Sequence, residues 1–270
     1  PVNIINDRGI HICKSMLAYK KWGKGKKPNK KGDHFVGDYY VLFAKKSKDN
    51  ENLNKEAQEM LLRWERKDKE TRALWKKMNR WVLKGHAETY KRVGASFDKE
   101  YYESDHYEDA KRIVEEGLKK KIFVNQQQPV NKDGYSSELI SSGGVVAPLH
   151  DTYGITDKIV LRGDGTSLYI TFDMYVANLR YQDYKFDRMA YVVATEQNLH
   201  FKQLFKVLEL LGRPFAKKMY HLKYGMVHLP SGRMKSREGT VIDTDDLIDE
   251  VAGLAAKEVK KRYKNLGKKE

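Results

Sequence analysis

The chain has 270 residues, 40% of them hydrophobic, with 52 Lys and Arg against 37 Asp and Glu and a formal charge of +15. That length can bury a substantial core, the composition excludes a disordered tail, and the basic surplus points to a polyanionic partner such as nucleic acid. A single cysteine, Cys13, excludes an internal disulfide framework and fits a reducing compartment. No apolar run is long enough to span a bilayer, so a cytoplasmic location away from membranes is expected.

Val2 to Ile5 reads as a strand, Asn6 to Gly9 as a turn, and Ile10 to Trp22 as a short helix with Ile12, Met16, Leu17 and Tyr19 at helical spacing. Gly23 to Gly32, with five lysines and a proline, reads as a solvated loop. Between Asn52 and Val82 apolar residues recur every three or four positions, which predicts two amphipathic helices broken at Arg66 to Lys69. Trp64, Trp75 and Trp81 fall on that apolar stripe. They could form a base-stacking platform, but aromatic residues at this spacing usually fill a core. A further helix is expected from Asp105, with Glu108 completing a capping box, to the basic Lys119 to Lys121, and Gln126 to Gly144 reads as irregular.

The last third changes rhythm. Ile159 to Arg162 and Ser167 to Thr171 read as a hairpin around Gly163 to Thr166, after which Asp173 is expected to cap a helix. Ala190 to Ala194, Asn198 to Gly212 and Tyr220 to Leu229 form a strand, helix, strand crossover, which predicts parallel strands with ligands held beyond their carboxyl ends. A final amphipathic helix starts at Thr244.

The chemistry open to these residues is narrow. Zinc-ligand spacings, a nucleophile elbow and a Walker-type loop are all absent from the sequence. What stands out is Gly232 to Gly239, where Arg233, Lys235 and Arg237 alternate with Met234 and Ser236 between glycines, a device suited to polyphosphate. A carboxylate such as Asp173, flanked by the Tyr169 phenol and the Gln197 amide, could bind a planar cation. Taken singly, each of these also reads as an ordinary loop, cap or core residue.

Ile5-Asn6-Asp7-Arg8-Gly9, Asp164 to Asp173, Tyr191 to His200, and Tyr224 to Val227 followed by Gly232 to Gly239 resemble, in order and over almost the whole chain, the arginyl-tRNA synthetase family, of the archaeal or eukaryotic sort. The resemblance implies an α/β fold: the second half of a class I synthetase Rossmann-like parallel sheet with a mainly helical connective insertion. Residues 1–22 would close the first Rossmann half and 23–155 form the insertion. Residues 156–244 would form the second half with a KMSKS-like loop, and 245–270 a helix leading toward an anticodon-binding domain.

The implied activity is ATP-dependent activation of L-arginine and transfer to tRNA(Arg), by a monomer. ATP is a substrate accompanied by Mg2+, with no tightly bound cofactor and no metal held by the protein itself. Tyr169, Asp173 and Gln197 would bind arginine, and His200, Gly225, Met226 and Val227 would bind ATP. Arg233, Lys235, Ser236 and Arg237 would form the catalytic loop. A non-catalytic tRNA-binding relative and a class I synthetase for another amino acid stay open as alternatives. The sequence departs from the family at Arg233, Lys235, Ser236 and Phe172. No HIGH segment occurs in these residues, so the isolated chain is expected to be inactive.

Overall fold

The computed structural model describes residues 1–126, 144–226 and 242–263, together with the backbone of the short strands His228–Leu229 and Gly232–Arg233. Its helices are α1 (Ile10–Trp22), α2 (Gly32–Lys46), α3 (Asn52–Glu65), α4 (Lys69–Val93), α5 (Glu103–Lys119), α6 (His150–Tyr153), α7 (Tyr169–Tyr184), α8 (Asn198–Leu210) and α9 (Thr244–Arg262). Its strands are β1 (Val2–Ile5), β2 (Lys99–Tyr102), β3 (Val124–Asn125), β4 (Gly144–Ala147), β5 (Lys158–Arg162), β6 (Met189–Ala194), β7 (Met219–Tyr224), β8 (His228–Leu229) and β9 (Gly232–Arg233). The chain divides into two compact units. One comprises Pro1–Val2, Asp7–Lys99 and Val227–Glu270, the other Asn3–Asn6 and Glu100–Met226.

The first unit is helical. Leu53, Ala57, Met60, Leu61 and Trp64 are buried along α3, and the break before α4 exists because Asp68 caps it, accepting from the Thr71 amide at 2.9 Å. Gly94, at φ 69, ends α4 eleven residues beyond the Val82 expected from periodicity. The tryptophans serve packing: Trp64 is 1% exposed, Trp75 donates through Nε1 to the Asp7 carbonyl at 2.6 Å, and Trp81 meets Tyr19 and Phe35 edge-on. Phe35, Tyr39 and Phe43 bury one side of α2, a helix with no counterpart among the expected elements. Gly32, at its start, lies so close to α4 that an added Cβ would stand 2.1 Å from the Trp81 carbonyl oxygen.

The turn Asn6 to Gly9 acts as a buckle. Asp7 also accepts from Asn79 at 2.8 Å through its carbonyl, and Arg8, 3% exposed, pairs with Glu65. In the same unit α9 is fixed at its first turn, where Asp245 accepts from Lys31 at 2.6 Å, Thr89 at 2.9 Å and Arg92 at 3.0 Å. Asp245 is the buried residue of that helix, whose Leu247, Val251 and Leu254 are exposed. Its three donors hold the Asp245 carboxyl down at about 2 against the opposing effect of desolvation.

In the second unit β3, β4 and β5 form an antiparallel sheet with a bulge between Val145 and Val146. β6 and β7 pair in parallel from Met189 opposite Met219 to Ala194 opposite Tyr224, as the crossover predicts, with α8 burying Phe201, Leu204, Val207 and Leu208. Four expectations are corrected. Ser167 to Thr171 is not a strand: Ser167 makes a single bridge to Leu161, and Tyr169 already opens α7. The Thr171 hydroxyl accepts from the Leu168 amide at 3.0 Å and donates to the Val160 carbonyl at 2.5 Å, so a β-prone run is drawn into a helical start. Asp173 therefore lies inside the helix and is not its cap. Likewise α5 begins at Glu103, which accepts from Asn6 at 3.0 Å, and Asp105 sits within its first turn. Finally, β7 stops at Tyr224, and His228–Leu229 pairs instead with Gly232–Arg233 in a small antiparallel ladder.

Candidate active site

Parallel strands that share a sheet end together, and the loops leaving their carboxyl ends frame the crevice where ligands bind. Here the last register pair is Ala194 opposite Tyr224, so the turn Thr195–Gln197 and the segment Gly225–Met226 step off the same edge of the second unit. Gln197 and Gly225 are exposed there, and Met226 is half-buried. His200 follows in the first turn of α8.

The sequence spacing of Tyr169 and Asp173 becomes geometry once both lie on α7. Four residues apart on a helix, they occupy one face. Tyr169 is 49% exposed, whereas the Asp173 and His200 side chains are each 15% exposed, and His200 Nε2 lies 2.7 Å from Asp173 Oδ2. Two further groups feel the same carboxylate. Burial lowers the Lys158 ammonium at the start of β5 and Asp173 opposes that shift. Burial also raises the Tyr191 phenol on β6, with Arg180 opposing and Asp173 adding to the rise.

The imidazole itself is held on a packed face. Its ring meets Phe201 edge-on with centroids 5.3 Å apart, Phe201 stacks at 4.3 Å against His221, and His221 Nε2 donates to the Val193 carbonyl at 2.9 Å. A shielded carboxylate with one oxygen engaged by a fixed imidazole is a directional acceptor for a cationic N–H fork, stronger here than in water because its surroundings are partly dehydrated.

The structure thus joins Asp173 with His200 and sets Tyr169 on the same helical face as the carboxylate. It carries Gln197 and Gly225 from neighbouring strand ends. Lys158 and Tyr191 were missed in the sequence, since one reads as the polar start of a strand and the other as part of an apolar run. Phe172, where the family pattern differs, is 1% exposed and belongs to the interior. Val227, Lys235, Ser236, Arg237 and the side chain of Arg233 lie outside the described residues. Among the described residues no group of three metal-ligating side chains occurs, and no helix is long and apolar enough to cross a membrane.

A parallel strand–helix–strand crossover with helices packed on it defines an α/β fold of the Rossmann-like class. The family model for class I tRNA synthetases (R), catalytic domain, matches residues 2–270. An arginine–tRNA ligase of Parabacteroides distasonis is 48% identical over 273 residues, covering 94% of this chain and 43% of the relative. That of Treponema denticola is 49% identical, covering 98% and 44%. In fold the chain is similar to the arginyl-tRNA synthetase of Plasmodium falciparum, with TM-score 0.64, 15% identity and coverage of 97% of this chain and 40% of that one. The chain belongs to the catalytic-domain family of class I arginyl-tRNA synthetases, and it spans less than half the length of the curated relatives it matches.

Proposed function

We propose that the protein carrying this chain activates L-arginine with ATP and transfers it to tRNA(Arg). The observation that carries the reading is the shielded Asp173 carboxylate, held by His200 beside the carboxyl end of β6. Its charge and planarity suit a guanidinium, and Tyr169 on the same face and Gln197 at the strand end complete a polar contour for the amino acid. His200, paired with Asp173 and carried on the helix that crosses from β6 to β7, would link the arginine side to the ATP side. The family membership and the two named ligases support the same assignment.

No protein nucleophile takes part in this reaction. The arginine carboxylate attacks the α-phosphorus of ATP, the bond to the bridging oxygen of the β-phosphate breaks, and pyrophosphate departs. A ribose hydroxyl of tRNA then attacks the adenylate carbonyl and releases AMP. Alignment by Asp173, Tyr169 and Gln197 converts encounter into a near-intramolecular event, and Arg233, Lys235 and Arg237, with Ser236 between them, offset the charge that builds on the leaving phosphates. Gly225, Met226 and Val227 would present backbone groups to the adenine. Mg2+ would arrive with the phosphates of ATP, an arrangement that needs few protein ligands. The buried single cysteine fits a reducing cytoplasm, and we assign the protein as a monomer.

Arginine-dependent ATP–pyrophosphate exchange by the intact protein, compared with Asp173→Asn, tests the reading. Exchange that needs no arginine, or is driven equally by another amino acid, would overturn it.

A further inference from the structure

The positive charge of this protein is not spread along it. Residues 7–99 hold 25 Lys and Arg against 12 Asp and Glu, so they carry 13 of the 15 formal charges. Some of the cations of the helical unit are paired with its own acids. Lys20 pairs with Glu70, Lys21 with Glu56, Lys30 with Asp38 and Arg63 with Asp68.

One group of cations stands in line, on the outside of α4. Lys69, Lys76, Arg80, Lys84 and Lys91 are all exposed, and among the described residues none of the five makes an ion pair. At 100° per residue they fall within an arc of about 80°, and the two other positions on that arc, Ala73 and Ala87, are small and exposed. The line runs about 33 Å at 1.5 Å per residue. The opposite side of the helix, with Thr71, Met78, Asn79 and Gly85 buried, supplies the packing, so the fold does not require these cations.

Nor does helix stability. Lys76, Arg80 and Lys84 are like charges at successive i,i+4 positions, an arrangement that weakens a helix, whereas an ordinary solvated face intersperses carboxylates. We infer that the outer face of α4 is a rail for the phosphodiester backbone of RNA. Duplex DNA presents a phosphate charge about every 1.7 Å of axis and duplex RNA is at least as dense, so a straight acid-free line of this length faces several at once and releases their counterions. With alanines and no aromatic residue between the cations, the rail grips the backbone without reading bases. That the RNA is tRNA(Arg) rests on the ligase function proposed above. The rail itself does not.

The test measures binding of a tRNA(Arg) transcript to the full chain by fluorescence anisotropy across a salt series. Replacing Lys76, Arg80 and Lys84 by Gln should reduce the slope of log Kobs against log salt by about two to three, with circular dichroism unchanged and the unfolding temperature no lower than the parent's. The exchange K76R/R80K/K84R should keep the parental slope. Replacing the exposed Lys45, Lys46 and Lys48 by Gln removes equal charge elsewhere and should alter it by less than one. Equal losses from both triple variants mean general charge only and overturn the rail, as does an unchanged slope, the result expected if the face serves an acidic protein. Steady-state arginylation by the intact protein separates the two proposals: a raised KM for tRNA with an unchanged KM for arginine supports the rail on tRNA. Absence of arginylation from the unaltered protein sinks the ligase reading and leaves the salt-slope measurement to decide the rail.

Discussion

His200 Nε2 and Asp173 Oδ2, 27 residues apart in the chain, meet at 2.7 Å across the start of α8 and the second turn of α7. The contact fixes the carboxylate and couples two residues that the family resemblance allots to different substrates.

Asp173→Asn keeps the shape and removes the charge. It is expected to raise the KM for arginine about 10- to 100-fold, the equivalent of a charged hydrogen bond of about 1.5–3 kcal/mol, with the KM for ATP nearly unchanged. His200→Ala should raise the KM for arginine by a smaller factor. Pyrophosphate exchange at varied arginine and varied ATP measures both, and an arginine KM that stays put in Asp173→Asn rules out the guanidinium assignment.

Arg8 is buried against Glu65 and lies 5.4 Å from the Trp64 ring. Arg8→Ala strands a carboxylate in a largely dehydrated place and is expected to destabilise the helical unit by about 3–5 kcal/mol. Urea unfolding followed by tryptophan fluorescence reports this directly, and a midpoint within error of the parent would contradict the buried pair.

Asp245 gives a dependence on acidity. Its folded value of about 2 lies below its ordinary 3.8, so the native state binds this proton less readily than the unfolded chain. The contribution is fully present above about pH 4 and is lost as pH falls toward 2. Amide exchange in α9 should therefore accelerate across that window, and Asp245→Asn should show fast exchange already at neutral pH. Equal protection in both proteins at pH 7 would count against the anchor.

Cys13 is 2% exposed and burial pushes its thiol up to about 12, so it stays protonated and shielded in the folded chain. At pH 8 a disulfide-exchange reagent should label it only as fast as the unit opens, and at once in denaturant. Stoichiometric labelling of native protein within seconds would disprove the burial.

The crossover of β6, α8 and β7 was legible because an apolar run of strand length adjoined a clean 3.6-residue period. α2 went unread although Phe35, Tyr39 and Phe43 repeat every four residues, since Gly37 and flanking charges dilute the signal. Ser167 to Thr171 misled for a different reason: Tyr169, Ile170 and Thr171 favour strands locally, and the Thr171 hydroxyl overrides that preference through contacts with Leu168 and Val160. Of the site, residue types and strand ends could be read from the sequence. The Asp173–His200 contact and the proximity of Lys158 could not, because no local pattern encodes which side chains from three separate elements will converge.

The fastening of α9 has a mechanical side. A rod of 19 residues, about 28 Å long, is held over its first two turns, through the buried Asp245 carboxylate and the Asp249–Arg92 ion pair, and is exposed from Glu250 onward. Held at one end only, it has the geometry of a lever pivoting about its first two turns. A force applied near Val259 is delivered to Thr89 and Arg92, so strain arising at the far tip is converted into torque on α4.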